Sequence, residues 1–251
     1  MAEVRALRNP PLVEVLLDVQ FLPLETGQPI ESFEEIARAM GGPESDIQRL
    51  ESIEASVKHT PGAGPPSVAS LPPQLTGFVA FNKEANRIFS VGNDKLTVGQ
   101  RAPYAGWDAI FATLRNAFDL YIAKSDQPRI VSRISARFVN QIAGPGGRWN
   151  TDDYLEWSFG MPSSPQWPTV EFNHRTVLHN EEENLYARIV LRDHRDPRAG
   201  KVDVIIDIDV VSLDRLEGNF DAIGKVFDRV RKFKNEIFFG MVKEKALEMY
   251  S

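Results

Sequence analysis

Short segments in which apolar and polar residues alternate occupy most of this chain, and turns of a few residues separate them. The clearest, residues 202–210, has apolar residues at every even position and Asp203, Asp207 and Asp209 at odd positions. A period of two is the pattern of a β-strand that buries one face. Strands joined by turns as short as residues 92–94 must pair antiparallel, because a parallel connection needs a crossover of about a dozen residues. The alternation therefore predicts antiparallel sheet.

Other segments have apolar residues every three or four positions, which is the spacing of an amphipathic helix. They cover residues 31–40, 46–57, 106–124 and 219–249. The last would be one long helix whose final turns project beyond the domain. Each long helix must bury its apolar stripe against a sheet. We therefore predict an α+β fold, in which one or more antiparallel sheets are covered by long helices.

The two longest predicted helices begin alike. Trp107-Asp108-Ala109-Ile110 opens one and Phe220-Asp221-Ala222-Ile223 opens the other, and each follows several predicted strands. An aromatic residue and an aspartate suit the first turn of a helix, where the dipole favours negative charge, so convergence is an alternative to duplication. The order predicts two tandem strand-then-helix units, residues 1–125 and 126–251, packed as one globule.

Residues 60–74 differ from the rest of the chain in composition. They are rich in proline and glycine and contain no charged residue. Proline removes a backbone donor and glycine raises chain entropy, so we predict a mobile loop here. A recognition sequence for a proline-binding module is the alternative.

Composition excludes several classes of protein. The chain has no cysteine, which rules out disulfides, thiolate metal ligands and cysteine nucleophiles. Its formal net charge of −6 argues against a general nucleic-acid binder. The first 20 residues lack the apolar core of a signal peptide, and no apolar stretch could span a membrane, so we expect a cytoplasmic protein. No histidine spacing indicates a metal, and we expect no cofactor.

Two predicted strands carry charged faces. Asp207 and Asp209 lie on the acidic face of residues 202–210, where they could hold Mg²⁺ or act as an acid and a base. On residues 130–142 the alternation places Arg129, Arg133 and Arg137 on one face, with Ile130 and Ile134 among the apolar residues of the other. Pairing of the two charged faces across strands is the alternative explanation.

Further candidate residues are a histidine, an arginine and two tryptophans. His174 and Arg175 lie on opposite faces of a predicted strand, with His174 as a weak catalytic candidate and Arg175 as a binding residue. Trp149 and Trp167 fall in predicted loops, where exposed aromatic residues indicate an interface. The sequence contains none of the common hydrolase nucleophile motifs.

Three short motifs carry a family resemblance. They are PPLVEV at residues 10–15, Tyr104 followed by Trp107, and RISARFVN from Arg133 to Asn140. They resemble those of a sporadically distributed prokaryotic family of uncharacterised proteins of similar length. The resemblance implies a patchily inherited accessory gene rather than a housekeeping enzyme, and it supplies no catalytic residues.

The features together predict a non-enzymatic binding or accessory protein that acts through a protein partner or a small ligand. The partner would be another protein or a second copy bound through the C-terminal helix. A metal-dependent hydrolase that uses Asp207 and Asp209, and His174 as a third group, is one alternative. A nucleic-acid-contacting accessory protein that uses Arg133, Arg137 and the basic last helix is the other.

Overall fold

The computed structural model describes most of the chain as strands and helices. The described residues are 7–24, 29–52, 55–58, 67–70, 72–125, 127–144, 153–156, 171–196 and 201–251. The helices are α1 (Ile30–Gly41), α2 (Trp107–Ala123), α3 (Phe220–Met241) and α4 (Glu244–Leu247). The strands are β1 (Leu12–Phe21), β2 (Asp46–Ser52), β3 (Ala55–Lys58), β4 (Ser67–Ser70), β5 (Gln74–Asn82), β6 (Arg87–Gly92), β7 (Lys95–Arg101), β8 (Ile130–Ile142), β9 (Asn173–Asn180), β10 (Leu185–Asp196), β11 (Lys201–Ser212) and β12 (Leu216–Glu217).

Most strands form one ten-stranded sheet with the order β2-β5-β6-β7-β1-β8-β11-β10-β9, and β12 pairs with β8 beside this path. Every pairing in it is antiparallel. β3 and β4 form a separate two-stranded sheet. The α+β class with an antiparallel sheet is confirmed. Within the described ranges, no helix is both long and apolar enough to cross a membrane.

The strand order is the same on both sides of the central β1–β8 pair. β7, β6 and β5 lie outward from β1, and β11, β10 and β9 lie outward from β8. On each side, three strands that follow one another in the chain run inward and the last lies beside the central strand. A long helix, α2 or α3, then follows.

The helices contact one face of the sheet, and the main hydrophobic core lies there. α1 contacts β5 and β6, α2 contacts β7, and α3 contacts β11 and β8. On β1 this face carries Val15, Leu17 and Val19, which are fully buried. Phe111 of α2 packs against the Phe227 ring of α3 at 5.8 Å. Alternation along each strand thus places its apolar side chains towards the helices.

The helix predicted over residues 46–57 is wrong. Residues 46–52 form β2, which lies at the edge of the sheet and pairs with β5, and residues 55–58 form β3. Almost all of β2 is exposed, and Leu50 is 37% exposed. The apolar residues of β2 therefore do not form a buried stripe, although their spacing is that of an amphipathic helix.

The loop predicted over residues 60–74 is partly wrong. Residues 67–70 form β4 and pair with β3, and β5 already begins at Gln74. Pairing with β3 supplies hydrogen bonds that the local composition does not reveal. Residues 59–66 and 71 lie outside the described residues, so the predicted mobility of this segment stays a prediction.

The C-terminal helix ends earlier than predicted. α3 stops at Met241, and Val242 is extended, with φ −105° and ψ 121°. Val242 instead forms a β-bridge with Leu155. The chain then folds back through α4, which buries Leu247, rather than projecting into solvent as expected. A tertiary contact of backbone with backbone thus ends a helix that the apolar spacing would have continued.

Arg129 does not share a face with Arg133, contrary to the prediction. Gln20 pairs with Arg133 but Phe21 pairs with Val131, so β8 carries one extra residue at this point. Such a bulge reverses the alternation beyond it. Val131 is consequently buried and Ile130, predicted to lie in the core, is 45% exposed.

The bulge places Arg129 inside the protein, where it is 3% exposed. Its guanidinium packs 5.0 Å from the centre of the Phe21 ring. It donates a hydrogen bond to the Tyr121 hydroxyl oxygen at 2.5 Å and another to the carbonyl oxygen of Asn93. Burial raises the pKa of Tyr121 to about 12, so its hydroxyl stays neutral beside this cation. Arg129 therefore anchors the start of β8 rather than forming part of a binding surface.

Candidate functional site

The sheet face opposite to the helices carries a ladder of charged side chains, which we call the charged sheet face. Residues directly opposite each other on antiparallel strands point to the same side, so the register assigns the members. They are Lys95 and Arg101 on β7, Glu14 and Asp18 on β1, Arg133 and Arg137 on β8, Asp203, Asp207 and Asp209 on β11, Arg188 and Arg192 on β10, and Arg175 on β9.

Asp18 interacts with side chains from both neighbouring strands, and it is only 6% exposed. Its carboxylate accepts a hydrogen bond from the Thr97 hydroxyl at 2.6 Å. The Lys95 ammonium and the Arg133 guanidinium each lie 3.2 Å from one of its oxygens. One carboxylate on β1 thus ties together the neighbouring strands β7 and β8. Asp18 was not among the residues predicted from the sequence. Its polar side chain at an alternating position of the β1 segment could have identified it.

Arg137 and Asp207 form a two-point ion pair between β8 and β11. Arg137 donates from Nε at 2.8 Å and from Nη2 at 2.6 Å, one bond to each carboxylate oxygen. Paired bonds of this kind are among the stronger hydrogen bonds in proteins. The bond to Asp207 raises the pKa of the Arg137 guanidinium. Both residues were candidates from the sequence. They pair across the two strands, as the alternative explanation had it, whereas Arg133 and Asp209 have partners on other strands.

Asp209 pairs with a different arginine, Arg188 of β10, at 2.9 Å. Asp209 is only 8% exposed. Burial raises the pKa of its carboxyl, and the positive charge of Arg188 opposes that rise. Asp207 and Asp209 therefore share a face but are neutralised by separate cations, so they do not act as a free carboxylate pair.

Arg188→Met is expected to lower the free energy of unfolding at pH 7 by about 1–3 kcal/mol, because the Asp209 charge would stay buried without its cation. Without Arg188 the pKa of Asp209 rises further. A carboxyl whose pKa is higher in the folded state loses folding stability as the pH rises through that pKa. The difference in the free energy of unfolding between Arg188→Met and wild type should therefore become smaller as the pH falls towards 4. Urea denaturation at several pH values measures it.

The matched control is Arg188→Met combined with Asp209→Asn. This double variant has no buried carboxylate at the site, so its stability relative to wild type should not depend on pH in this way. A deficit of the single variant that is equal at pH 4 and pH 7 would contradict the assignment of the Arg188–Asp209 pair.

The structure does not bring His174 to the two aspartates. His174 pairs with Leu191, and so points to the helix side of the sheet, whereas Arg175 pairs with Val190, which pairs with Asp207. The His174 imidazole hydrogen bonds to the Thr176 hydroxyl at 2.8 Å. Within the described part of the chain, no group of three histidine or carboxylate side chains could hold a metal ion. The geometry therefore does not support the hydrolase alternative in its three-residue form.

Two arginines distinguish the β9–β10 end of the charged sheet face. Arg175 and Arg192 are exposed, and neither has a carboxylate partner among the described residues. Exposed apolar surface lies beside Arg175, because Val177, two residues along the same face of β9, is 57% exposed. The remaining members of the predicted binding set, Trp149 and Trp167, lie outside the described residues.

Comparisons with protein families and with curated proteins give no indication of what this site does. A scan against models of protein families found no match, and a search of curated proteins found no match either. The resemblance to a sporadic prokaryotic family therefore stays a prediction. What the site does must be inferred from its charges, its exposure and its partners.

Proposed function

We propose that this chain is a non-enzymatic binding protein whose charged sheet face binds a protein partner that presents carboxylates. One observation carries the proposal. The cations nearer the centre of the face each have a carboxylate partner, whereas Arg175 and Arg192 at its end have none in the described structure. An exposed guanidinium is a fixed two-point donor that suits a carboxylate supplied by a partner.

The ion pairs at the centre of the charged sheet face favour binding rather than catalysis. A catalytic carboxylate needs freedom to accept a proton or to hold a metal. Asp207 has both oxygens occupied by Arg137, and Asp209 is held by Arg188. Such pairs fix the positions of the side chains before any partner arrives, which lowers the entropic cost of binding.

A protein partner explains the mixture of charges better than a nucleic acid does. Glu14 and Asp203 on the same face would repel a phosphate backbone that runs along it, whereas a protein partner can place its carboxylates at Arg175 and Arg192 alone. The exposed Val177 beside Arg175 matches the mixture of apolar and arginine side chains that is common in protein interfaces. The apolar stripe of α3 is already buried, so contact through that helix would use its charged side.

The organisation into two tandem units, residues 1–125 and 126–251, belongs to the same proposal. The matching strand order around the β1–β8 pair supports it, as do the long helices that close each half. In this organisation the helices cover one face of a sheet shared by both units and leave the other face for partners. A cytoplasmic, accessory role is part of the proposal as well.

Binding of a fluorescent peptide of alternating Glu and Leu tests the proposed function, since it offers carboxylates on one side and apolar groups on the other. We expect Arg175→Glu with Arg192→Glu to weaken binding at least ~10-fold, because two attractions become repulsions. Fluorescence anisotropy at 50 and 300 mM salt measures the affinity, and binding should weaken with salt.

The control variant is Lys225→Glu with Lys232→Glu, which makes the same charge change at exposed positions of α3. It should bind the peptide like wild type. Equal affinity of the two double variants, or the absence of peptide binding by the wild type, would refute the proposal. Tighter binding of a single-stranded oligonucleotide than of the peptide would favour the nucleic-acid alternative instead.

A further inference from the structure

Two cations lie side by side on α3, on the helix side of the sheet. The Lys234 ammonium sits 4.4 Å from the centre of the Phe138 ring, and the Arg231 guanidinium sits 5.1 Å from the Trp107 ring. The two rings are themselves stacked, with centres 6.3 Å apart and planes 25° apart. Trp107 and Phe138 thus form a continuous aromatic floor beneath two neighbouring positive charges.

This pair of cations is not neutralised within the described structure. Neither Lys234 nor Arg231 has a carboxylate at ion-pair distance there. Burial of the Lys234 side chain, and next the charge of Arg231, lower the pKa of its ammonium to about 8. Aromatic faces attract cations, but they do not replace a counter-ion. Lys234 is partly buried and Arg231 is exposed. Neighbouring like charges without a counter-ion destabilise each other, and an anion would relieve both.

The other titratable groups near this pair belong to the start of α2, the loop before it and α3 itself, where Asp228 precedes Arg231 by three residues. Burial raises the pKa of Tyr104 to about 12, while the Arg231 charge lowers it and the Asp108 carboxylate raises it. The Tyr104 hydroxyl is therefore neutral at pH 7. Arg231 is the one charged group among the described residues whose field shifts Lys234. The Asp108 carboxylate acts on Tyr104 and is not among the groups that shift Lys234.

We infer that Lys234 and Arg231 form a binding site for an oxoanion group, a carboxylate, phosphate or sulfate, carried by a small ligand. The guanidinium can donate two parallel hydrogen bonds to such a group, and the ammonium adds a point charge. The site lies on the opposite side of the sheet from the charged sheet face. It therefore stands whether or not that face binds a protein.

Inorganic sulfate tests this site, because it keeps its charge between pH 7 and pH 9. Titration calorimetry at constant ionic strength, with chloride as the balancing anion, gives the affinity. We expect the wild-type affinity to fall about 10-fold between these pH values as Lys234 loses its proton. Lys234→Arg should bind sulfate at both pH values, because arginine keeps its charge. Lys234→Met should lose at least ~5-fold in affinity at pH 7.

The control is Lys232→Met, which removes a charge from an exposed position of the same helix and should leave sulfate binding unchanged. Equal sulfate affinity in Lys234→Met and wild type would overturn the site. The site would also be overturned if the sulfate affinity of Lys234→Arg depended on pH as strongly as that of wild type. The arginine variant decides the question even if Lys234→Met folds poorly.

Discussion

Replacing Phe227 by Ala is expected to lower the free energy of unfolding by about 3–5 kcal/mol. Phe227 is completely buried on the inner face of α3. Its ring meets the edge of Trp107, with ring centres 6.3 Å apart, and also contacts Phe111. The truncation would leave a cavity where α2 and α3 meet, and the surrounding helices and sheet can close it only in part. Urea or guanidinium denaturation gives the change directly.

The control for Phe227→Ala is Lys225→Ala, an exposed position two residues earlier on the same helix. A surface substitution of this kind should change the free energy of unfolding by less than about 0.5 kcal/mol. If Phe227→Ala cost less than about 1 kcal/mol, α3 would not pack on the sheet in the way that the structure shows.

Asp18→Ala is expected to cost about 2–4 kcal/mol of stability, the second large effect. The substitution removes one acceptor but leaves several donors, since Lys95, Arg133 and Thr97 all direct polar groups at this carboxylate. Thr97 is only 7% exposed, so water cannot easily take the place of the lost oxygen. High salt should reduce this loss only in part, because Asp18 is buried whereas the Lys95 side chain is 46% exposed.

The matched control is Glu14→Ala, which lies on the same strand and the same face. Its partner Arg101 is 64% exposed and Glu14 itself is 26% exposed, so this pair should contribute less than about 1 kcal/mol. The comparison separates the burial of a charge from its mere pairing. Equal losses for Asp18→Ala and Glu14→Ala would show that the convergence of donors on Asp18 does not stabilise the sheet.

Strands and helices with strong local patterns were predictable from the sequence. The predicted bounds of β8, residues 130–142, are the observed ones, and those of α2, residues 106–124, differ by one residue at each end. In these elements the alternation or the helical stripe coincides with what is buried, except at the bulge near the start of β8. Antiparallel pairing followed from the short turns, since they leave no room for crossover connections.

The errors arose where a distant segment decided the local structure. β2 exists because it pairs with β5, and α3 ends where Val242 meets Leu155. The position of Arg129 depends on a bulge that appears only in the pairing of β8 with β1. None of these contacts is encoded in a periodicity of neighbouring residues, so propensity and spacing could not find them.

The candidate site, too, was predictable from the sequence only in part. Alternation identified Arg133, Arg137, Asp207 and Asp209 as residues on polar faces, but it could not say which arginine meets which aspartate. Register places Asp209 opposite both Arg137 and Arg188. The folded side chains decide that Arg188 pairs with Asp209 and that Arg137 pairs with the diagonal Asp207. The tertiary structure also brought in Asp18 and Arg188, which were not predicted from the sequence.

The sequence by itself determined an antiparallel α+β protein with acidic and basic strand faces. These properties depend on side-chain period and turn length, which are local. Only the tertiary structure decided the strand order and the ion-pair partners. It also left Arg175 and Arg192 on one side of the sheet, and Lys234 and Arg231 on the other, without a carboxylate partner among the described residues. Charge neutralisation acts over a few ångströms between segments far apart in the chain, so it exists only once the strands and helices are assembled.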